Sequence, residues 1–341
     1  MLTTKDNILY FLYLHRTGLT VFGLSLLLLV WPLMERNPYT LGLSNLIAIY
    51  SLVVLGLNLF IGYAGQISLG HAAFFAIGAY GSAIGTTTLG FPAWPVMMAA
   101  ALAAALVALA VGVPALKLSG HYLAMATLGF NIVVYTVLIQ WDAVTGGPSG
   151  FAGIPYLSIG PLVFDDEFRF HYLVWTFTVL ALLLCLNLVR SGVGRGLAAL
   201  AEDETAAAAL GVDTRRAKIK VFVLSAVLAA LAGSLFAHCY AFVSPDSFNI
   251  FVSVDFVIMV VVGGMGSIWG TLFGTALITL LPEWIESLER FKDILHGLIL
   301  VVILLFLPQG LTTGIVDAVR TRIALWKRFS TGVAAPDGTD R

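Results

Sequence analysis

The sequence predicts an all-α polytopic membrane protein, and three observations predict it. Of 341 residues, 59% are hydrophobic and 11% charged, against about 25% charged in an ordinary soluble domain. The apolar residues fall into blocks of about 20 with short polar gaps, the length that crosses a hydrocarbon core as helix; barrel strands of about 9 to 11 residues are excluded. Glycines and prolines interrupt several blocks, so about ten membrane segments are expected, some of them broken or re-entrant. The net charge of -1 carries little information, since placement of Lys and Arg matters more than their sum. The lipid bilayer is the implied partner, and nothing points to nucleic acid. Cys185 and Cys239 lie in apolar blocks and read as free buried thiols.

Lys5, His15 and Arg16 precede the first apolar run, 19–34. No small-x-small cleavage pattern follows it, so it reads as an uncleaved helix with a cytoplasmic N-terminus. A second span fills 41–60. The stretch 58–80, NLFIGYAGQISLGHAAFFAIGAY, then interrupts the pattern with Gly62 and Gly65 and places Asn58, Gln66, Ser68 and His71 around the break. Irregular backbone survives at membrane depth only when buried in protein or lining a wet cavity, so this stretch reads as pathway. Small residues there also let neighbouring helices approach. The following helix runs through Thr88 with Gly81 and Gly85 in G-x-x-x-G spacing, and Pro92 and Pro95 mark its turn.

Spans at 96–113 and 121–140 follow, with Pro114 and Lys117 between them on the cytoplasmic side by the positive-inside rule. That leaves 141–170 outside, containing TGGPSGFAGIP and Asp165, Asp166 and Glu167, with Arg169 its single basic residue. A loop of this length is expected to be functional, here in docking another protein. After a span at 172–189, the segment 190–220 carries Arg190, Arg195, Arg215, Arg216, Lys218 and Lys220 and is assigned to the cytoplasm. A span at 221–240 leads outward again. Glu283, Glu286, Glu289 and Asp293 mark an outer segment, whereas Arg320, Arg322, Lys327 and Arg328 belong inside. Both hold only if 254–282 enters and leaves on one side, as a hairpin with its tip at 263–267. A last span at 295–307 and a disordered cytoplasmic tail at 331–341 complete a single transmembrane domain over 1–330.

The two halves echo one another. Gly62-x-x-Gly65 precedes Ser68 and Gly70, and Gly263-x-x-Gly266 precedes Ser267 and Gly270, with Gly264 inside the second break. Paired interruptions in corresponding halves point to a transport site near the bilayer midplane. The chain has no G-x-x-x-x-G-K-[ST], H-E-x-x-H or G-x-S-x-G pattern, so no nucleotide loop, catalytic residue, metal site or cofactor is expected in it. Mid-span carboxylates are scarce, which argues against proton coupling. His71 reads as a hydrogen-bonded structural histidine before a substrate contact. In the cytoplasmic segment, LAALAEDETAAAAL is expected to form one helix over 197–211, closed by Gly211, with Asp213 capping the next. Its Leu200 and Leu210 are apolar and its Glu202, Asp203 and Glu204 acidic, a combination that suits a protein groove better than an anionic membrane.

These stretches, with GRGLAALAEDETAAAALGVDTRRAKIKVFVLSAVLAALAGSLFA and VVGGMGSIWGTLFGTALI, strongly resemble the permeases of bacterial branched-chain amino acid ABC importers, the M-type subunit in particular. The resemblance runs in order over nearly the whole chain. It implies a fold similar to vitamin B12-type importer permeases in the bacterial inner membrane. It also implies a second, H-type permease, two ATP-binding cassette subunits that bind the ATP, and a periplasmic substrate-binding protein. By the same resemblance, 197–211 is the ATPase-coupling segment and leucine, isoleucine or valine the substrate. Urea and short-amide permeases share these motifs and form the alternative. An ion-coupled carrier and a passive small-solute channel are the rivals from other classes; both would act without an ATPase.

Overall fold

The computed structural model describes residues 16–284 and Gly297. The expected last span 295–307, the acidic stretch 286–293 and the tail 331–341 lie outside the described residues, as does the start of the chain. Twelve helices carry the described fold: α1 (Arg16–Met34), α2 (Pro38–Asn58), α3 (His71–Thr87), α4 (Ala93–Ala115), α5 (His121–Gln140), α6 (Asp142–Thr145), α7 (Glu167–Arg190), α8 (Gly192–Glu202), α9 (Glu204–Ala209), α10 (Thr214–Tyr240), α11 (Ile250–Gly263) and α12 (Ile268–Trp284). Among the described residues, five stretches are long and apolar enough to cross a membrane: Pro38–Tyr63, α4, α5, α7 and α10. Leu102 and Leu106 on α4 and Met125 and Val133 on α5 are exposed. Apolar surface on that scale belongs in lipid or against protein. The chain is an all-α polytopic membrane protein.

α10 is the central rod. It is 27 residues long, or about 40 Å at 1.5 Å per residue, and it packs against α2, α3 and α4. Small residues let it do so. A Cβ on Gly78 of α3 would run into the carbonyl of Ala230, and one on Gly233 of α10 into the carbonyl of Phe75. On α2, a Cβ on Gly56 would sit 2.9 Å from the Cα of Ser225. Between such backbones dispersion and polar contacts replace the hydrophobic drive that lipid cannot supply. Gly81 and Gly85 serve the same purpose against Ala100 and Val96 of α4.

α11 and α12 form the hairpin read from the sequence. Gly263 lies on the Gly270 backbone and Gly274 on Met259, so the second helix returns antiparallel to the first. The turn between them uses Gly264 and Gly266 at φ of 105° and 76°, a region costly for any residue with a Cβ.

The long loop is shorter than expected and carries short elements of its own. α7 begins at Glu167, ahead of the expected 172, because Asn45 of α2 holds both the Glu167 carboxylate and its carbonyl, at 2.6 and 3.1 Å. Within the loop, β1 (Phe151–Ala152) pairs with β4 (Phe242–Val243) and β2 (Ser158–Ile159) with β3 (Leu162–Val163), all antiparallel. The loop thereby ties itself to the segment that follows the C-terminal end of α10. Cys185 is buried, Cys239 partly buried, and neither forms a disulfide.

Candidate functional site

The polar residues read as a pathway gather where the two glycine breaks meet. α2 ends in a π-helical turn, Leu59–Tyr63, a form that recurs at functional sites. Beside it stands the tip of the α11–α12 hairpin. A Cβ on Gly62 would overlap the amide nitrogen of Gly266, so the two breaks touch backbone to backbone. Asn58 sews them together. Its Oδ1 accepts from the Gly266 amide at 3.0 Å, and its Nδ2 donates to the Ser267 carbonyl at 2.9 Å and to Thr271 Oγ1 at 2.8 Å. Ser267 Oγ in turn accepts from the Gly270 amide at the start of α12. The echo between the halves is therefore a physical contact. The π-turn closes a 26-residue apolar stretch, and Gly65 just beyond it meets Ala201 of the basic segment.

A second polar knot holds the N-terminus of α3 inside the bundle. His71 and Ser68 are buried, and His71 spans between Ser225 Oγ of α10 at 3.0 Å and Ser68 Oγ at 3.3 Å. Thr127 Oγ1 of α5 accepts from the Leu69 amide, and Ser253 Oγ of α11 from the Ala72 amide. Three helices, α5, α10 and α11, thus hold the first turn of a helix that starts part-way along α10. Gln66 bonds only locally, to the Ala64 carbonyl.

The basic end carries the segment read as a single helix over 197–211. The structure breaks it in two. Asp203 is extended, with φ of -156° and ψ of 116°, and its carboxylate caps α9 by accepting from the amides of Thr205 and Ala206. Alanine propensity over the stretch is outweighed by this cap. Gly211 closes α9 at φ of 87°, and Asp213 caps α10 through the Arg216 amide, both as read from the sequence.

The side chains expected to face a partner divide. Leu200 is buried at 3% exposure and points into the bundle with Leu197. Glu204 bonds Lys218 of α10 at 2.6 Å. Glu202 and Leu210 face outward, Leu210 at 83% exposure, together with Val193 at 54%. Gly65, read as pathway, has φ of 65° and instead meets α8: a Cβ there would lie 3.1 Å from the Cα of Ala201. Sequence reasoning missed Thr271, Ser225, Thr127, Ser253 and Lys218. The available signal was a small hydroxyl or a lysine on an otherwise apolar helix face.

Comparison with known proteins agrees with this architecture. The family described as branched-chain amino acid transport system, permease component, matches residues 39–305. The chain is 34% identical over 316 residues to the high-affinity branched-chain amino acid transport system permease protein LivM of Escherichia coli K12, covering 86% of this chain and 74% of that one. It is 33% identical to LivM of Salmonella typhimurium LT2 with the same coverage. It is 27% identical over 293 residues to the permease protein LivH of Escherichia coli K12, covering 81% of this chain and 93% of that one. No solved structure matches the chain. With its broken second helix, its glycine-tipped hairpin and a family match that spans most of its length, the chain belongs to the branched-chain amino acid transport system permease family.

Proposed function

We propose that this chain is one of two permeases of an ATP-driven importer for leucine, isoleucine and valine in the bacterial inner membrane. The second permease is of the H type, two ATP-binding cassette subunits bind and hydrolyse ATP, and a periplasmic binding protein delivers substrate to the outer loops. The end that carries Arg190, Arg195, Arg215 and Arg216 faces the cytoplasm, as do both termini. The chain itself contributes no catalytic group, metal or cofactor.

The observation that carries this reading is the placement of α8 and α9. They form a surface element between two spans, expose Val193, Glu202 and Leu210 outward, and rest through Ala201 on Gly65 at the exit of the π-turn. The ATPases dock on the outward side. Their closure presses the helix pair against the π-turn, and Asn58 carries the displacement to the hairpin tip. Substrate passes beside the broken segments around Gly62, Gln66, Ser68 and Gly263 to Ser267.

Uptake of radiolabelled leucine into proteoliposomes tests this. The complete set of subunits should take up leucine only with ATP present. Uptake by the permeases alone, driven by an ion gradient, would make the chain a carrier; gradient-free equilibration would make it a channel. ATP-dependent uptake of urea with none of leucine would move the substrate to the amides.

A further inference from the structure

Lys218 stands on the first turns of α10 among basic neighbours, Arg215, Arg216 and Lys220, that are all exposed. It alone of these is buried, at 3% exposure. Its Nζ lies 2.6 Å from Glu204 Oε2 of α9, whose side chain remains 46% exposed. A buried ammonium held by one carboxylate is strongly dependent on it, because removing the partner strands an uncompensated charge. Membrane orientation would be served equally by an exposed lysine, so the positive-inside rule does not account for the burial.

The stripe on which Lys218 lies gives the pair its meaning. Residues 218, 222 and 225 follow at helical spacing on one face of α10. The Phe222 ring is 5.1 Å from that of Phe60 in the π-turn, and Ser225 Oγ holds His71 Nε2 at 3.0 Å. One face of the central rod therefore touches, in order, the surface helix pair, the π-turn and the start of α3. The helix pair packs on the bundle through Leu197, Leu200 and Ala207 and meets Gly65 through Ala201. To these packing contacts Glu204 on Lys218 adds a charged tie to α10.

We propose that Glu204 and Lys218 are positioning residues that lock α8–α9 to α10, so that the surface pair and the central rod move as one body through the transport cycle. This rests on the importer reading above and goes beyond it by assigning Glu204 an inward role instead of one on an ATPase surface. With the tie intact, a displacement of the pair in either direction reaches Phe60 and His71.

The test uses the complete importer in proteoliposomes and reads leucine taken up per ATP hydrolysed. Glu204→Gln should keep both ATPases bound on purification, while uptake per ATP falls on the order of tenfold or more. Glu204→Asp should retain part of it, and the exchanged pair Glu204→Lys with Lys218→Glu should restore it. Wild-type uptake per ATP in Glu204→Gln would overturn the proposal, as would loss of the ATPases from the complex, which would place Glu204 on their surface. A second measurement covers a variant that fails to fold. In a Cys185→Ala, Cys239→Ala background, cysteines at 204 and 218 joined by a short bifunctional thiol reagent should transport normally, because a covalent tie replaces the ionic one. Arrest by the cross-link would overturn the proposal by showing that the pair must part. Wild-type importer whose uptake of leucine does not depend on ATP would instead retire the importer reading, and this inference with it.

Discussion

Asn58→Ala removes a side chain that joins the two broken segments through three hydrogen bonds, and the structure allows its cost to be worked out. Three hydrogen bonds disappear, to the Gly266 amide, the Ser267 carbonyl and Thr271 Oγ1. The Ser267 carbonyl still accepts from Thr271 Oγ1 at 3.1 Å, so its loss is partly covered. The Gly266 amide has no second partner of this kind, and leaving such a donor unmade costs about 1–3 kcal/mol. Interhelical side-chain bonds in membrane proteins average about 0.6 kcal/mol and reach about 1.7. The total expected for Asn58→Ala is therefore about 2–3 kcal/mol. Thr271→Val keeps the volume and removes only the third bond, at about 0.6–1.7 kcal/mol. In the double variant the Thr271 change should cost less than it does alone, because its partner has already gone. Thermal unfolding of the purified permease in detergent reads all four corners of this cycle, with each kcal/mol lowering the midpoint by about 2–4 °C. Uptake by the assembled importer should fall with Asn58→Ala and survive Thr271→Val. Additive midpoint shifts, or Asn58→Ala at wild-type stability, would refute the clamp.

Gly65→Leu should abolish uptake while the protein stays in the membrane, since φ of 65° is strained for a side chain and Ala201 occupies the space it would enter; quantitative blotting of membranes beside uptake checks this. Leu210→Ser and Glu202→Lys should each reduce copurification of the ATPases without changing permease yield, because both side chains face outward. Leu200→Ser should instead lower permease yield itself, by burying a hydroxyl in the packed face where leucine is 3% exposed. A cysteine at Asp246 should react with an impermeant thiol reagent from the periplasmic side and one at Arg215 only after the membrane is opened; the reverse pattern would invert the assigned topology.

The spans were legible because lipid imposes them locally, although α7 and α10 begin at Glu167 and Thr214, ahead of the expected 172 and 221. Every backbone group in hydrocarbon must be satisfied within its own helix, so length and hydropathy suffice to find α4, α5 and α10. α5 occupies the residues the pattern predicts, 121–140. The hairpin was legible for a similar reason, because 254–282 is too short for two full spans and the glycines mark its tip. Local chemistry also announced the caps at Gly211 and Asp213. The same logic, applied to Asp203, would have divided α8 from α9; alanine propensity concealed it.

Tertiary structure alone decided who meets whom. Asn58 and Thr271 are 213 positions apart, and His71 and Ser225 are 154 apart. Nothing in either local sequence names its partner. Asn58, Ser68 and His71 read as a pathway because polar groups in an apolar block demand an explanation, and the demand is met by other polar groups brought up through glycine-on-backbone contacts. Leu200 turned inward and Leu210 outward for a comparable reason: the break at Asp203 resets the helical phase between them, so one face of the expected helix became two. The sequence determines which stretches must be helix, because that is a matter of backbone satisfaction within a segment. Which polar atoms pair, and which face of a surface helix is free for a partner, depend on the approach of distant segments to within about 3 Å, and only the packed bundle decides that.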